Sequence, residues 1–357
     1  MCFGTAITVP RPRGASARQR PPHDREIRRV ATMGPMKDAD QPELSIAIVL
    51  YNSAETLPNC LRSIRKELDS GFAEVIAVNN ASPDDSVATI RAEVPGAEIV
   101  EMGGNRGFAA GVNAALALAR GRYWLLLNPD VRAPADGLRR LVTWMDTHPA
   151  VGIASPNLVD VNGRWEEPGR ALPSVGRTLL RLSRLHRLLP AALRRRVFRA
   201  SYWTSGDQLN AGWVPGTAMI VRPAAVSAVG PLREELFMYG EDLEWCWRMR
   251  RAGWRVGVCS STTFVHDTSS SARLTYSQDD IERRIAEGMD SACRLMYGPR
   301  YARALAALNG LAFAVDARAP GKSSGERHQA RAAAQMWRRL AARRGGAAHQ
   351  AAGYPRL

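Results

Sequence analysis

The sequence predicts an α/β protein built on a parallel sheet, and three observations carry that expectation. Four apolar, β-branched runs alternate with helix-patterned segments between residues 45 and 130, the signature of strands joined by crossover helices. The runs are continuously apolar rather than alternating, as in strands covered on both faces. Polar residues gather where the strands end, the edge at which open α/β sheets bind their ligands.

The elements follow in order. Ser45 to Tyr51 reads as the first strand. "SAETLPNCLRSIRKEL" follows with helical spacing at Leu57, Leu61, Ile64 and Leu68. "AEVIAVNN" is the second strand. "SPDDSVATIRAEV" is a helix, with Ser82 expected as N-cap and Pro83 at its first position. "AEIVEM" is a third short strand. "GGNRGFAAGVNAALALARG" is a turn and helix, and "RYWLLLNPD" is a fourth strand ending in Asp130. Tyr51 and Asn52, Asn79 and Asn80, the turn at 103–107, and Asn128 with Asp130 therefore share one rim. Beyond Asp130 the alternation stops. A helix ("APADGLRRLVTWMDTHP"), a strand with a turn at Asn162 and Gly163, and a strand at "GWVPGTAMIVRP" follow. "ELFMYGEDLEWCWRMRRAGW" is a loop entering a helix, and "RVGVCSSTTFVHD" is a last strand ending near His266. From Ser277 to about residue 345 the pattern is helical and rich in Arg and Ala.

Composition narrows the function. The chain has 357 residues and a formal charge of +15, which favours anionic partners. Its five cysteines show no CxxC spacing, against a disulfide framework or a zinc site and in keeping with a reducing cytosol. No apolar run reaches the length of about 18 residues that a membrane span needs. The start, "MCFGTAITVPRPRG", has too short an apolar stretch for a signal peptide. The expected location is cytoplasmic, or peripheral on the inner face of the plasma membrane. No nucleic-acid-binding signature accompanies the charge, so nucleic acid is not expected as a partner.

The glycine turn invites comparison with a dinucleotide fingerprint. Its glycines stand at 103, 104, 107 and 111, no subset gives G-x-G-x-x-G, and the turn follows the third strand rather than the first. A NAD-dependent oxidoreductase is thereby disfavoured. The acids point elsewhere. Asp130 ends a strand at the ligand rim, Glu241 and Asp242 open a helix, and His266 closes a strand. Acids at a helix start have a dipole rationale of their own. The set can also form an oxygen-and-imidazole metal site with a separate base, suited to Mg²⁺ or Mn²⁺ held by few protein ligands and substrate phosphates.

"SIAIVLYN", "VNNASPDDS", "NRGFAAGVNAALALARGRYWLLLNPD", "VPGTAMIVRPAAVSAVGPL" and "FMYGEDLEWCWRMRRAGW" stand in the order and spacing of family 2 glycosyltransferases. The chain resembles these inverting enzymes over about residues 44–270, most closely the rhamnosyltransferase-like branch. The resemblance implies a GT-A (nucleotide-diphospho-sugar transferase) fold: a mainly parallel central sheet flanked by helices, with a C-terminal helical extension. It divides the chain into a disordered basic extension at 1–42, the GT-A domain at 43–270, a helical region at 271–345 and a tail at 346–357. It implies a nucleoside-diphosphate sugar donor and a hydroxyl acceptor on a glycan or polyprenyl-linked lipid, with rhamnose or another deoxyhexose as the first expectation for the sugar.

The family's DxD-like motif reads Asn128-Pro129-Asp130 here, leaving Asp130 to carry the carboxylate role beside a divalent cation. His266 matches a histidine that helps bind metal or diphosphate. The Glu-Asp pair of the family matches Glu241 and Asp242, with Asp242 expected as base and Glu241 holding the acceptor, the two roles open to exchange. Tyr51, Asn52, Asn79, Asp84, Asn105, Arg106 and Asn128 are the remaining donor-side candidates. Two departures stand out. Asn79 occupies the place of a usual aspartate that contacts the nucleotide base, and "GPLREELFMYGED" lacks another aspartate, so that either Glu234 or Glu235 substitutes or the contact is absent. A catalytically weak nucleotide-sugar-binding protein is the alternative these departures suggest. Residues 177–200 and 328–346 are basic and amphipathic, read either as solvated helix faces or as interfacial helices docking on anionic lipid.

Overall fold

A computed structural model describes residues 41–183, 190, 206–267 and 277–343. All but the last two residues of the expected extension at 1–42, the tail, and most of the basic segment at 177–200 lie outside the described residues.

The core is one nine-stranded sheet. Its strands are β1 (Leu44–Leu50), β2 (Ala73–Asn79), β3 (Glu98–Glu101), β4 (Tyr123–Leu127), β5 (Val131–Arg132), β6 (Val151–Val159), β7 (Trp165–Glu166), β8 (Ala218–Val221) and β9 (Arg255–His266). They lie in the order β3-β2-β1-β4-β8-β6-β9-β5, with β7 paired to β6. The first four strands in that order run parallel, as the alternation of strands and helices requires. The expectation of a mainly parallel sheet ends there. β8 is antiparallel to β4 and to β6, while β6 and β9 are parallel. The reversal comes where strictly alternating crossover helices give out, so the sheet is mixed.

The continuous apolar strands bury both faces. Ile46, Ile48, Leu50, Leu125 and Leu127 face one core, with the helices Leu57–Ser63 and Gly137–Thr147. Ala47, Trp124 and Leu126 face the other, with the helices Phe108–Leu116 and Glu241–Arg251. Gly111 lets the helix Phe108–Leu116 lie on β1. A Cβ there would stand 2.9 Å from Val49 Cγ1.

One helix start differs from expectation. The helix after β2 runs Ser86–Glu93 with Asp85 as N-cap, not from Ser82. Ser82 and Asp84 serve the neighbouring loop instead: the Asn52 amide donates to Ser82 Oγ and the Ala54 amide to Asp84 Oδ2, each at 2.8 Å. Burial opposes the Asp84 charge, but the Ser82 and Ser86 hydroxyls and two backbone amides outweigh it and hold its pKa below the usual range.

The C-terminal region forms three helices, Gln278–Tyr297, Pro299–Asp316 and Ser324–Ala342. The last begins with a capping box: the Glu326 amide donates to Ser323 Oγ, and the Ser323 amide to Glu326 Oε2. Its apolar side, Ala330, Ala333, Ala334, Trp337 and Leu340, is buried. The apolar side of the pattern at 328–346 thus packs within the protein over the described part of that segment. No helix among the described residues is long and apolar enough to cross a membrane.

Gln278–Tyr297 meets the loop before Glu241–Arg251 at backbone distance. A Cβ on Gly288 would stand 2.2 Å from the Tyr239 carbonyl oxygen, and one on Gly240 would stand 2.5 Å from that of Gly288. Gly240 has φ +92° and Tyr239 φ +69°, so the loop is held in a conformation L side chains rarely adopt. Helix propensity alone favours Gly288→Ala by about 1 kcal/mol. Overpacking against backbone costs about 1–3 kcal/mol, so a net loss of stability is expected in urea unfolding; an unchanged or raised midpoint would show that the contact does not bind.

Candidate active site

The carboxyl ends of β1, β2 and β4 open into a cavity of about 660 Å³. Of the residues singled out from sequence, Tyr51, Asn105, Asn128, Asp130, Glu241, Asp242 and His266 line it. Asn52, Asn79, Asp84 and Arg106 do not. Asn52 and Asp84 belong to the clamp described above. The Asn79 amide nitrogen donates to Glu101 Oε2 at 2.6 Å and its oxygen accepts from the Ser82 amide at 2.9 Å. The Arg106 side chain is exposed. Neither acid at 234 and 235 lines the cavity: Glu234 accepts from Asn113 and Glu235 pairs with Arg233.

The glycine turn is tied to the rim by Asn80, which is buried. Its amide nitrogen donates to Asn105 Oδ1 (3.0 Å) and Gly107 O (3.3 Å), and its oxygen accepts from the Arg106 amide (2.8 Å). Gly107 has φ +89°, and a Cβ there would stand 2.3 Å from the Phe237 carbonyl. The glycines serve close packing, and no fingerprint spacing is involved.

Asp130 sits in the turn between β4 and β5. Val131 pairs with His266 across β5 and β9, and the Asp267 amide donates to the Asp130 carbonyl at 2.8 Å. This pairing joins residues 136 positions apart: His266 Nε2 lies 3.6 Å from Asp130 Oδ1. On the other side of the ring, Nδ1 lies 2.9 Å from Glu166 Oε2. Burial disfavours the charged ring, but the Asp130 and Glu166 carboxylates prevail and raise its pKa to about 9. Asp130 Oδ1 is buried and accepts no hydrogen bond.

No cluster of three or more His, Cys, Asp or Glu suited to a metal forms among the described residues. The donors present still fit a hard divalent cation that keeps water or phosphate ligands: one orphaned carboxylate oxygen beside one imidazole, both on the cavity wall.

In the wall of the same cavity, Glu241 and Asp242 begin the helix Glu241–Arg251. Three acids stand in its first turn and three arginines in its last, which suits the helix dipole. Glu244 is buried between Arg233 (3.1 Å) and Arg248 (2.9 Å), so its charge is neutralised. Glu241 and Asp242 have no such partner. Asp242 accepts from the Gly216 amide at 3.1 Å and from the Leu243 amide at 2.7 Å. Burial pushes its pKa up and these amides only partly reverse that. Glu241 rises further, from burial and then from the adjacent Asp242, and its Oε2 is buried without a partner. Two adjacent carboxyls thus differ: Asp242 is held by donors and Glu241 is pushed towards its neutral form.

Several lining residues escaped the sequence reading. Glu166 and Glu167 follow the turn at Asn162 and Gly163, and pairing of Val159 with Trp165 and of Leu158 with Glu166 carries them to the wall. The acid pair "EE" three residues past a hairpin turn was the available signal. Gln278, Ile281, Ile285 and Met289 reach the cavity from the C-terminal helix Gln278–Tyr297, for which no local signal exists.

The architecture is the GT-A fold. The mannosyltransferase PcManGT from Pyrobaculum calidifontis, solved with GDP-Man and Mn²⁺, superimposes with TM-score 0.51 over 90% of this chain and 92% of its own, at 17% identity, a likeness of fold. Residues 45–202, less than half of the chain, match Glycosyl transferase family 2. A Haloferax volcanii protein, "Low-salt glycan biosynthesis hexosyltransferase Agl10", is 28% identical over 234 residues, 63% of this chain and 67% of its own. A Mycobacterium tuberculosis "N-acetylglucosaminyl-diphospho-decaprenol L-rhamnosyltransferase" is 25% identical over 245 residues, 64% of this chain and 78% of its own.

The raised carboxyls carry a sign that can be checked. A carboxyl whose folded pKa lies above its unfolded value favours the fold while protonated in both states, and loses that advantage as pH rises through the unfolded value of about 4.3 towards the folded one. Glu241→Gln removes the penalty. The variant is expected to melt higher than the parent at pH 8, with the difference shrinking by pH 4 in parallel thermal scans.

Proposed function

We propose that the protein transfers a sugar with inversion from a nucleoside-diphosphate donor to a hydroxyl of a glycan or polyprenyl-linked acceptor. The observation that carries this reading is the gathering, in the wall of one cavity, of the Asp130–His266 pair and the Glu241–Asp242 pair. Inversion needs one in-line displacement, with the leaving group on one side and a base on the other. The acceptor oxygen bonds to the anomeric carbon as the bond from that carbon to the diphosphate oxygen breaks. The acceptor proton passes to Asp242, whose two backbone donors keep it the more anionic of the pair. Glu241 in its neutral form donates a hydrogen bond towards the acceptor. Tyr51, Asn105 and Asn128 line the donor half. Asp130 and His266 would hold a divalent cation, Mg²⁺ or Mn²⁺, which supplies charge stabilisation to the departing diphosphate.

Asn52, Asn79, Asp84 and Arg106 act in this reading through the rim they shape rather than by contact from the cavity wall. The division of residues 43–270 from the helices that follow is a boundary in sequence pattern; Met289 lies on the wall of the same cavity. Similarity to a rhamnosyltransferase acting on a diphospho-decaprenol acceptor supports rhamnose as the sugar and a polyprenyl diphosphate as the acceptor's carrier. It supports work at an inner membrane face, where such lipids are reached.

A screen of nucleotide-sugars for thermal stabilisation, with and without Mn²⁺, identifies the donor. Asp130→Ala is expected to weaken metal-dependent donor binding. Asp242→Asn is expected to leave donor affinity within about threefold while transfer falls by about 10²-fold or more, the scale of a lost general base. Normal turnover in Asp242→Asn would sink the base assignment.

A further inference from the structure

A second cavity, of about 480 Å³, adjoins the first. Glu167, Arg170, Trp213 and Met289 line both, so the two lie side by side. The far side is built by the helix Val175–Leu182 and by all three C-terminal helices, which contribute Arg177, Asp290, Asn309 and Trp337.

Its polar groups are unmatched. The Arg177 backbone amide bonds Ser174 Oγ, but its guanidinium has no hydrogen bond or ion pair among the described residues. Tyr297 and Tyr301 are its electrostatic neighbours, and burial pulls its pKa below the usual value. A half-buried guanidinium without an anion carries a desolvation cost that a bound anion removes. Asp290 Oδ2 holds Arg294 at 2.6 Å, while its Oδ1 is buried and unpartnered. Glu167 Oε1 is likewise buried and unpartnered. Orphaned carboxylate oxygens call for donors, and sugar hydroxyls are donors. Trp213 and Trp337 line the same space. Arg170, stacked over Trp213 at 5.1 Å, stands where the two cavities meet.

We propose that this second cavity binds a sugar phosphate as the distal part of the acceptor, its phosphate on Arg177, its hydroxyls on Glu167 and Asp290, and its reacting end at Asp242. The inference rests on the transferase reading and adds to it the charge and reach of the acceptor. A phosphate in this position can belong to a soluble sugar phosphate or to a lipid diphosphate; the chemistry at Arg177 is the same.

The test uses the full chain saturated with a nucleoside diphosphate, so that the donor half is filled. Calorimetry then compares N-acetylglucosamine 1-phosphate, its short-chain alkyl diphosphate ester, and N-acetylglucosamine itself. Either phosphate is expected to bind about tenfold or more tighter than the neutral sugar. Arg177→Gln should abolish that preference and Arg177→Lys should keep part of it, as loss of a charge-assisted bond predicts. Tighter binding of the ester names the lipid as source, and equal binding names the soluble phosphate. Asp130→Ala should leave the preference intact. Retained nucleotide binding shows that Arg177→Gln is folded, and Arg170→Gln, on an exposed residue, serves as the second variant. No preference for phosphate, or a preference lost in Asp130→Ala but kept in Arg177→Gln, overturns the proposal. Failure of every nucleoside diphosphate to bind would instead overturn the transferase reading, leaving the Arg177 comparison to stand by itself.

Discussion

The contact of Gly240 with Gly288 is the constraint on which the rest depends. Backbone meets backbone there with no room for a Cβ on either side. The helix Gln278–Tyr297 can therefore sit only where the loop before Glu241 takes its left-handed turn. That placement fixes the start of the helix Glu241–Arg251, and with it both acids. It also brings Met289 to the wall between the two cavities. Residues that look structural in sequence thus set the position of residues that carry charge.

Three acids in the first turn of one helix show how packing sorts a common chemical group. Glu244 lies between two arginines and contributes to cohesion. Asp242 has only backbone donors, and Glu241 has one oxygen without any partner. An uncompensated buried carboxyl is costly. It persists here because the helix is anchored elsewhere, through Trp245 to the Gly230 carbonyl at 2.9 Å and Arg248 to the Val229 carbonyl at 2.6 Å.

The first four strands could be read from sequence because each is a continuous apolar run followed by a helix with its own period. The rim residues followed from that topology. The link between Asp130 and His266 could not, since it depends on a two-residue strand pairing antiparallel to the end of a long one. Ser82 was misplaced because a side chain that caps helices elsewhere is claimed by the Asn52 amide across the loop. Asn79 and Asp84 looked like ligand contacts for a related reason: their polar atoms are real but are spent on neighbouring backbone and side chains. Glu166 and the residues of the C-terminal helix were invisible because long-range packing, rather than local pattern, brings them to the cavity.

Trp337 gives the C-terminal helices a further meaning. It lines the second cavity, yet it belongs to a segment well beyond the stretch that matches the family, residues 45–202. A chimera that grafts the last three helices of a relative onto this sheet would keep the Asp130–His266 pair and receive a new lining. Because the helix Gln278–Tyr297 also lines the first cavity and meets the loop before Glu241, such a graft would couple a change in the second cavity to the placement of the acids in the first.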